Sequence, residues 1–207
     1  WVSAYNGGVA RLDPGASSFR HYRYDPDDAG SLPNDIVVTI YEDRGGVLWF
    51  LTNDGLARYD EGRDAFEPIA RDRSSPDGDA ARILYDMVEE PGTGRYWIAT
   101  YTSGLERWDP AAGTVARFPS VPGDPSTPSD NLVYAIAYDG RGRLWAATNG
   151  GLCRYEGDGR FVRYEASKTD RSKLPSRSIR DVYADSLGRL WVSTSGGGVA
   201  RYVEETD

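Results

Sequence analysis

The sequence contains very few of the residues that metal centres and many catalytic sites require. Among its 207 residues there is one cysteine, Cys153, and one histidine, His21. A single cysteine excludes an internal disulfide framework and any metal site built from cysteines. The histidine lies in a segment with the pattern of an outer strand, so a histidine-based metal centre or a Ser-His-Asp triad is poorly supported. We predict no catalytic residues, no metal and no cofactor.

Positive charge is also scarce. The chain has 24 Lys and Arg residues against 32 Asp and Glu residues, which gives a formal net charge of −8. Binding to nucleic acid without sequence preference needs a basic surface, and so does binding to an anionic membrane. We therefore expect neither as a partner. The sequence also lacks the Gly-rich loops GxxxxGK(S/T) and GxGxxG that hold phosphate groups.

Long apolar runs and targeting signals are missing too. No stretch is apolar enough to cross a membrane, and no signal peptide is present. The sequence begins at Trp1 rather than at an initiator methionine. We expect it to be part of a longer protein, so the missing targeting segments say nothing about that protein.

The most informative feature of the sequence is a repeat. Residues 43–60 read DRGGVLWFLTNDGLARYD, which has the pattern of a turn, a strand, a tight turn and a second strand. Related strings occur at residues 1–13, 97–109, 139–156 and 185–202, and their tryptophans are 48, 48, 48 and 46 residues apart. These tryptophans are Trp1, Trp49, Trp97, Trp145 and Trp191. A period in the forties with four strand-sized segments per unit predicts a β-propeller.

The predicted fold is all-β, with four-stranded antiparallel blades of which about four to five are present. The blade units are residues 1–35, 36–82, 83–131, 132–178 and 179–207, the first and the last being partial. The first unit lacks an inner strand and the last lacks an outer strand, so the ends do not complement each other. We expect an open arc that is a fragment of a larger propeller, or a ring completed by other residues or chains. The partners would be the remaining blades of a parent chain or a second copy of this one.

The recurring polar residues have structural interpretations. Asp43, Asp139 and Asp185 each precede a turn glycine by three residues, as expected of carboxylates that accept backbone N–H groups. The tryptophans are expected to fill the wedge between neighbouring sheets. The inner strand at residues 36–43 is rich in β-branched residues, which predicts burial on both of its faces.

Two further residue types recur in the hairpins. A threonine three residues after the tryptophan is expected to satisfy a backbone group of the turn. These threonines are Thr52, Thr100, Thr148 and Thr194. An arginine on the following strand is expected to lie across the Tyr or Trp that follows it, or to pair with a neighbouring blade's turn carboxylate. These arginines are Arg11, Arg58, Arg107, Arg154 and Arg201.

In these details the sequence resembles a known family. Residues 31–60, SLPNDIVVTIYEDRGGVLWFLTNDGLARYD, closely resemble the two-component regulator propeller repeat, and the pattern extends over essentially the whole chain. One departure is consistent, because the glycine that the family carries two residues after the tryptophan is replaced in every copy. The replacing residues are Ser3, Leu51, Ala99, Ala147 and Ser193.

This resemblance implies a non-catalytic sensor domain. In such receptors the propellers, often seven-bladed, are the periplasmic part of an inner-membrane protein whose output is a histidine kinase or a diguanylate cyclase. The ligands that the resemblance implies are glycan fragments or other small molecules. The resemblance therefore predicts a signalling role for this chain, in an extracytoplasmic location, without direct contact with the membrane.

A ligand is expected on one face of the propeller. The loops that enter the inner strands and the turns of the tryptophan hairpins lie on the same face of this fold. Tyr5 and Tyr101 are suited to stacking on a sugar, and the amide side chains to hydrogen bonding with its hydroxyl groups. The candidate residues are Tyr5, Asn6, Asn34, Asp35, Asn53, Asp54, Arg82, Tyr101, Thr102, Asn131, Asn149 and Arg177. The alternative interpretation is that the Asn and Asp residues only form turns.

Two other functions stay open on the sequence. A propeller enzyme of the streptogramin-lyase type needs a histidine and an acid with a metal near the axis, and the position of His21 argues against it. A scaffold propeller would bind only other proteins. Neither the ligand nor the total number of blades follows from the residues.

Overall fold

The computed structural model describes residues 1–69, 83–170 and 172–204, which form five antiparallel β-sheets. Sheet 1 contains β1 (Val2–Ala4), β2 (Gly8–Arg11) and β3 (Arg20–Tyr22). Sheet 2 contains β4 (Val37–Glu42), β5 (Leu48–Thr52), β6 (Gly55–Asp60) and β7 (Ala65–Pro68). Sheet 3 contains β8 (Leu84–Glu89), β9 (Tyr96–Thr100), β10 (Leu105–Asp109) and β11 (Thr114–Phe118). Sheet 4 contains β12 (Val133–Tyr138), β13 (Leu144–Thr148), β14 (Gly151–Gly157) and β15 (Arg160–Tyr164). Sheet 5 contains β16 (Ile179–Ala184), β17 (Leu190–Thr194) and β18 (Gly198–Arg201).

This architecture confirms the predicted all-β fold of four-stranded antiparallel blades. The strands of every sheet follow one another without a crossover, and sheets 1 and 5 have three strands each, as the sequence predicts. Neighbouring sheets pack in chain order, and β4, β8, β12 and β16 contact one another as the inner strands. Within the described residues sheets 1 and 5 make no extensive contact, so the five sheets form an open arc. The described part of the chain has no helix with the length and hydropathy of a membrane span.

The turn that precedes each tryptophan strand is closed by an aspartate, as predicted. In sheet 2 one carboxylate oxygen of Asp43 accepts the backbone N–H groups of Gly45 and Val47, each at 2.9 Å. Gly46 completes this turn with φ of 78°, a conformation that residues with a Cβ rarely adopt. Asp139 and Asp185 make the equivalent backbone contacts in sheets 4 and 5.

The second oxygen of each turn aspartate makes a contact that the sequence analysis did not foresee. It accepts the indole N–H of the tryptophan six residues later, at 2.8 Å for Asp43 and Trp49 and at 2.8 Å for Asp139 and Trp145. Asp43 also accepts the hydroxyl of Tyr96 from sheet 3 at 2.8 Å. One carboxylate therefore ties the turn to the core and to the next blade. We call this contact the Asp–Trp anchor.

The anchor holds the carboxylates in their ionised form. Burial of Asp139 favours the neutral acid, but the hydrogen bonds from Trp145, the backbone and Arg143 outweigh it and lower the pKa of Asp139. The pKa of Asp185 is lowered in the same way, first by the indole of Trp191. A lowered pKa means that this stabilisation is present near neutral pH and is lost as the pH falls through the acid range.

Sheet 3 lacks the anchor because its turn is different. Glu90 occupies the turn, and Gly92 and Gly94 follow it with positive φ, so the turn is one residue longer. The indole N–H of Trp97 is fully buried and lies beside the hydroxyl of Tyr138 without completing a hydrogen bond with any described residue. The extra residue in this turn therefore leaves one buried donor unsatisfied.

The hydrophobic core lies between the sheets rather than within a single layer. The second strands of the middle sheets are the most deeply buried, and every residue of β9 and β13 is buried. Trp97 packs between sheets 3 and 4 with Phe118 and Tyr155, and Trp145 packs between sheets 4 and 5 with Tyr164 and Tyr202. The wedge-filling role predicted for these tryptophans is confirmed.

The inner strands are less buried than the sequence analysis predicts. In β4 only Val37 is buried, and the residues after it are partly exposed or exposed. Each inner strand is the edge strand of its sheet, so no further strand pairs with its open side. The prediction that residues 36–43 are buried on both faces is therefore wrong.

Three of the repeated arginines, Arg11, Arg107 and Arg154, stack on the tryptophan of their own hairpin rather than on the ring that follows them. Arg11 also pairs with Asp64 in a turn of sheet 2 at 3.6 Å, which is the other alternative that the sequence left open. Arg107 lies 5.6 Å from the ring of Trp97, and Arg154 lies 5.5 Å from that of Trp145. These rings belong to the preceding strand, because successive side chains of a strand point to opposite faces and cannot stack on each other.

The predicted hairpin role of the threonines holds, since Thr52, Thr100, Thr148 and Thr194 each donate to the carbonyl of the turn glycine.

Replacing Asp139 with alanine is expected to lower the free energy of unfolding by about 2–3 kcal/mol. The change leaves the buried indole N–H of Trp145 and the N–H groups of the turn without their acceptor. Urea denaturation followed by tryptophan fluorescence measures the loss.

Asp185→Ala is the matched control. Asp185 makes the same contacts in sheet 5, but Trp191 is only partly buried there and water can replace the lost acceptor. We expect a loss of about 1 kcal/mol or less for this variant. Equal losses in the two variants would show that burial of the anchor is unimportant.

Candidate functional site

The structure brings together the two sets of loops in which the sequence places its candidate residues. In each blade from sheet 2 to sheet 5, the hairpin turn after the tryptophan strand donates a backbone hydrogen bond to the loop that enters the inner strand. The donors are the backbone N–H groups of Asn53, Tyr101, Asn149 and Ser195, and the acceptors are the carbonyls of Ile36, Ile83, Leu132 and Ser178, in the same order. Two further bonds, from Gly8 to Asp35 and from Gly104 to Asn131, link a turn to the loop of the next blade. We call this surface the loop face.

Three of the seven candidate Asn and Asp side chains accept backbone N–H groups of these loops. Asn34 accepts the N–H of Ile36 at 2.8 Å, Asp35 accepts that of Tyr24 at 2.8 Å, and Asn131 accepts that of Ser120 at 2.6 Å. Asn6 adopts φ of 54° in the turn of sheet 1. These residues therefore act as turn formers, the alternative that the sequence analysis left open.

The remaining candidates differ in their exposure and in their hydrogen-bond partners. The side chain of Tyr5 is 91% exposed. Asn149 contacts Asp130 and Ser178 between sheets 4 and 5, whereas Arg177 is exposed in the loop that precedes β16. Asn53 and Asp54 form the partly exposed turn of sheet 2. Arg82 lies outside the described residues.

Tyr101 and Thr102 stand apart from the other candidates. The side chain of Tyr101 is 41% exposed and its ring lies 6.1 Å from that of Tyr85. The hydroxyl of Thr102 is buried and has no hydrogen-bond partner among the described residues. An exposed aromatic ring beside an unsatisfied hydroxyl is a combination that turn formation alone does not require.

A β-bulge in the inner strands is the feature that the sequence analysis missed. The pairing of β8 with β9 shifts between Leu84 and Asp86, which leaves Tyr85 as the extra residue. The same shift leaves Val38, Tyr134 and Arg180 as extra residues in sheets 2, 4 and 5. A bulge turns the side chain of the extra residue away from the ordinary alternation of the strand.

The sequence does carry a signal for these bulges. Leu84 and Met87 are both buried although they are three residues apart, an odd spacing that an unbroken strand places on opposite faces. Val133 and Ile136 in sheet 4, and Ile179 and Val182 in sheet 5, show the same spacing. Apolar pairs three apart within a predicted strand therefore indicate an inserted residue between them.

The bulges assemble a group of side chains from three consecutive blades. The rings of Tyr85 and Tyr134 lie 5.6 Å apart at 69°, and the guanidinium of Arg180 lies 4.3 Å from the ring of Tyr134. Tyr101 extends the group from the turn of sheet 3. We call these four residues the tyrosine–arginine row. It lies on the inner side of the arc, where the inner strands begin.

The residue after the bulge links neighbouring blades through the backbone. In sheet 2 the hydroxyl of Thr39 donates to the carbonyl of Tyr85 at 2.6 Å. In sheet 3 the carboxylate of Asp86 accepts the N–H of Met87 and that of Ile136 from sheet 4, each at 2.8 Å. The pKa of Asp86 is raised to about 6, mainly by burial and to a smaller extent by the nearby Asp181, although these two hydrogen bonds lower it.

A wide groove lies at the other end of the strands. It has a volume of about 960 Å³ between sheets 4 and 5 and is lined by arginines. Two of its arginines pair with the turn aspartates, Arg143 with Asp139 at 2.7 Å and Arg189 with Asp185 at 2.6 Å. The described residues contain no cluster of three or more His, Cys, Asp or Glu side chains that could hold a metal ion.

Comparison with protein families identifies the repeat. Three segments, at residues 31–54, 127–150 and 173–196, match the family model described as two component regulator propeller. The chain carries two component regulator propeller repeats. The segments of this propeller that match begin at the loop face and extend through the inner strand to the tryptophan strand of sheets 2, 4 and 5. They therefore contain both the bulge and the Asp–Trp anchor. No curated protein matches the chain.

Solved structures with the same fold include receptor domains and an enzyme. The propeller superposes on the extracellular domain of BT4673 from B. thetaiotaomicron, which is described as a one component system, with a TM-score of 0.78 and 21% identity. The match covers 97% of this chain but only 25% of the BT4673 chain. For the extracellular domain of the hybrid two component system BT3049 the TM-score is 0.58, with 22% identity over 84% of this chain and 29% of that one. For virginiamycin B lyase from Staphylococcus aureus the TM-score is 0.59 and the identity is 15%, and the match covers 96% of this chain and 64% of the lyase.

Asp86 should make the stability of the chain depend on pH in a range where most carboxylates do not titrate. Its pKa of about 6 in the folded chain exceeds the 3.8 of an ordinary aspartate, so the folded chain binds more protons between these values. The free energy of unfolding is therefore expected to decrease as the pH rises through that range. In Asp86→Thr, which copies Thr39 of sheet 2, this decrease should be smaller.

Urea denaturation at several pH values between about 4 and about 7 tests this assignment. Asp181→Asn is the matched variant, because it removes the neighbouring charge that raises the pKa of Asp86. It should keep the decrease but shift it to lower pH. An unchanged pH profile in Asp86→Thr would show that another group is responsible.

Proposed function

We propose that this propeller is the extracytoplasmic, ligand-sensing and non-catalytic part of a bacterial signalling receptor. The repeat family and the similarity of the fold to extracellular domains of one component and two component systems support a signalling role. The observation that carries ligand binding is the exposed ring of Tyr101 on a loop face where the side chains of Asn34, Asp35 and Asn131 are occupied by turn contacts. The ligand would be a glycan fragment or another small molecule.

In the receptor, the arc would pack against further blades of a longer chain or against a second copy of itself. The chain spans about a quarter of the BT4673 domain, which leaves room for such blades in a protein of that kind. The terminal sheets carry exposed apolar side chains, among them Val2 at 57%, Tyr183 at 62% and Val199 at 67%. Exposed apolar side chains on the terminal sheets favour contact with another protein surface.

A lyase is the second candidate, and the similarity to virginiamycin B lyase favours it. The only histidine of the chain, His21, lies on β3, where it is exposed and pairs with Ala10 at the outer side of sheet 1. A histidine on an outer strand is far from the axis of the arc. The described residues therefore favour a binding module over a lyase.

The two candidates differ in what happens to a bound molecule. We expect at least one compound from a library of oligosaccharides and small metabolites to raise the melting temperature of the chain and to be recovered unchanged by mass spectrometry. Tyr101→Ala should weaken that binding at least tenfold, because the exposed ring supplies the contact surface. Asn34→Ala, a change at a turn former, should lower stability without a comparable loss of affinity.

Conversion of the compound into products would support the lyase instead. Unchanged affinity in Tyr101→Ala would overturn the assignment of the loop face. No response to any compound of the library would overturn ligand sensing by this segment.

The isolated chain is also expected to self-associate. Light scattering should give a mass above the 22.8 kDa of one chain, because the faces of sheets 1 and 5 are uncovered. Tyr183→Lys combined with Val199→Lys should shift the chain toward the monomer by placing charge on the face of sheet 5. A monomeric chain with a cooperative thermal transition would contradict the proposed need for a partner.

A further inference from the structure

We propose that sheet 5 is a docking surface for sheet 1 of a second copy of this chain. The contact reuses, between two molecules, the interface by which neighbouring sheets pack within one molecule. This inference rests on the partner surface expected under the proposed function, commits to one partner and specifies the faces that meet. It does not depend on the ligand.

Each interface within the chain joins two unlike faces. The earlier sheet contributes its tryptophan and the side chains beside it, which we call the trailing face of that sheet. The later sheet contributes the residue after its own tryptophan and the ring that follows the repeated arginine, which we call its leading face. Between sheets 4 and 5, Trp145 and Leu152 of the trailing face pack in one core with Val192 and Tyr202 of the leading face. This pattern occurs in all four interfaces of the arc.

The trailing face of sheet 5 has the residues of a buried face but is uncovered. Val199 pairs with the residue two after the tryptophan, and it is 67% exposed. The residues at this position in sheets 2 to 4 are Leu56, Leu105 and Leu152. These three are at most 2% exposed. In each interface of the arc a ring of the next sheet lies 4.8–5.6 Å from the tryptophan, whereas no ring of the described residues lies against Trp191.

The leading face of sheet 1 is uncovered in the same way. Val2, the residue after the tryptophan, is 57% exposed. The residues at this position in sheets 2 to 5 are Phe50, Ile98, Ala146 and Val192. These four are at most 1% exposed. Leu12 follows the repeated arginine and is also exposed, and Ala10 lies directly opposite Val2. The face therefore offers apolar side chains at the positions that are buried in every other sheet.

The two uncovered faces are the two halves of one interface. Nine of the twelve large apolar side chains that are exposed in the described residues lie in residues 1–24 or 183–203. Sheets 1 and 5 make no extensive contact within the described chain, so neither half is covered by the other. A second copy supplies a leading face for sheet 5 and a trailing face for sheet 1. The resulting contact is head-to-tail, because two different faces meet.

Tyr183 separates this arrangement from docking of a complete further blade. Tyr183 pairs with Trp191 in the position that Tyr41 takes in sheet 2. The hydroxyl of Tyr41 accepts the N–H of Glu89 from the inner strand of the next sheet at 3.0 Å. Sheet 1 has no inner strand, so a second copy leaves Tyr183 uncovered, whereas a complete blade covers it.

The test mixes two variants that each lose one face. Val2→Lys with Leu12→Lys places charge on the leading face of sheet 1, and Ser193→Lys with Val199→Lys places it on the trailing face of sheet 5. By light scattering each double variant alone should have the 22.8 kDa of one chain, because its intact face finds no open counterpart. An equimolar mixture should give twice that mass. Tyr183→Lys is the matched control and should associate like the unchanged chain.

Each outcome bears on the proposal. Association of either double variant alone would show that like faces meet and would overturn the head-to-tail contact, while the proposed need for a partner would stand. A mixture that stays monomeric would overturn the second copy as the partner. A monomeric Tyr183→Lys would favour contact through the inner strand and would also overturn it. Ligand sensing is tested separately with the compound library, so none of these results decides it.

Cross-linking decides if a double variant fails to fold by circular dichroism. Val2→Cys in one tagged copy and Val199→Cys in a differently tagged copy are mixed with a short bismaleimide. The natural Cys153 is fully buried, so the introduced thiols are the ones that react. Cross-links between the two tags are expected. Cross-links only between equal tags, or none, would overturn the head-to-tail contact.

Discussion

The hydrogen bond between the turn aspartate and the tryptophan indole is the interaction on which the repeats of sheets 2, 4 and 5 depend. One carboxylate oxygen closes the turn through two backbone N–H groups, and the other fixes the ring that fills the wedge to the next blade. A single aspartate thus joins local turn geometry to packing between sheets. In sheet 3, where Glu90 lengthens the turn, the indole of Trp97 stays buried but unsatisfied. That blade is held by packing around Trp97 with Phe118 and Tyr155 instead.

The anchor and the site lie at opposite ends of the same strands. The anchor precedes the tryptophan strand, where the paired arginines and aspartates line the large groove between sheets 4 and 5. The loop face follows that strand, where the hairpin turns contact the loops entering the inner strands. This division lets the stabilising contacts repeat almost unchanged from blade to blade. The residues of the loop face and of the bulges are free to differ, because packing does not specify them.

The bulge also explains how neighbouring blades are joined near the axis. The inserted residue interrupts the strand pairing, and the next residue bonds to the adjacent blade, as Thr39 does to Tyr85 and Asp86 does to Ile136. The inserted side chains of Tyr85, Tyr134 and Arg180 meet one another across three blades. This arrangement accounts for the partial exposure of strands whose composition predicts burial.

The sequence by itself determined the fold, the order of the strands and the role of the turn aspartates, threonines and tryptophans. These features follow from a period of 46 to 48 residues and from local hydrogen bonding, both of which can be read along the chain. Only the tertiary structure decided which rings the arginines contact and which side chains meet on the inner side of the arc. Tyr85, Tyr134 and Arg180 are about 50 residues apart in sequence and meet only because three bulges occur at the same height in three packed blades. Contacts between blades depend on the packing of the whole arc, and no local pattern encodes them.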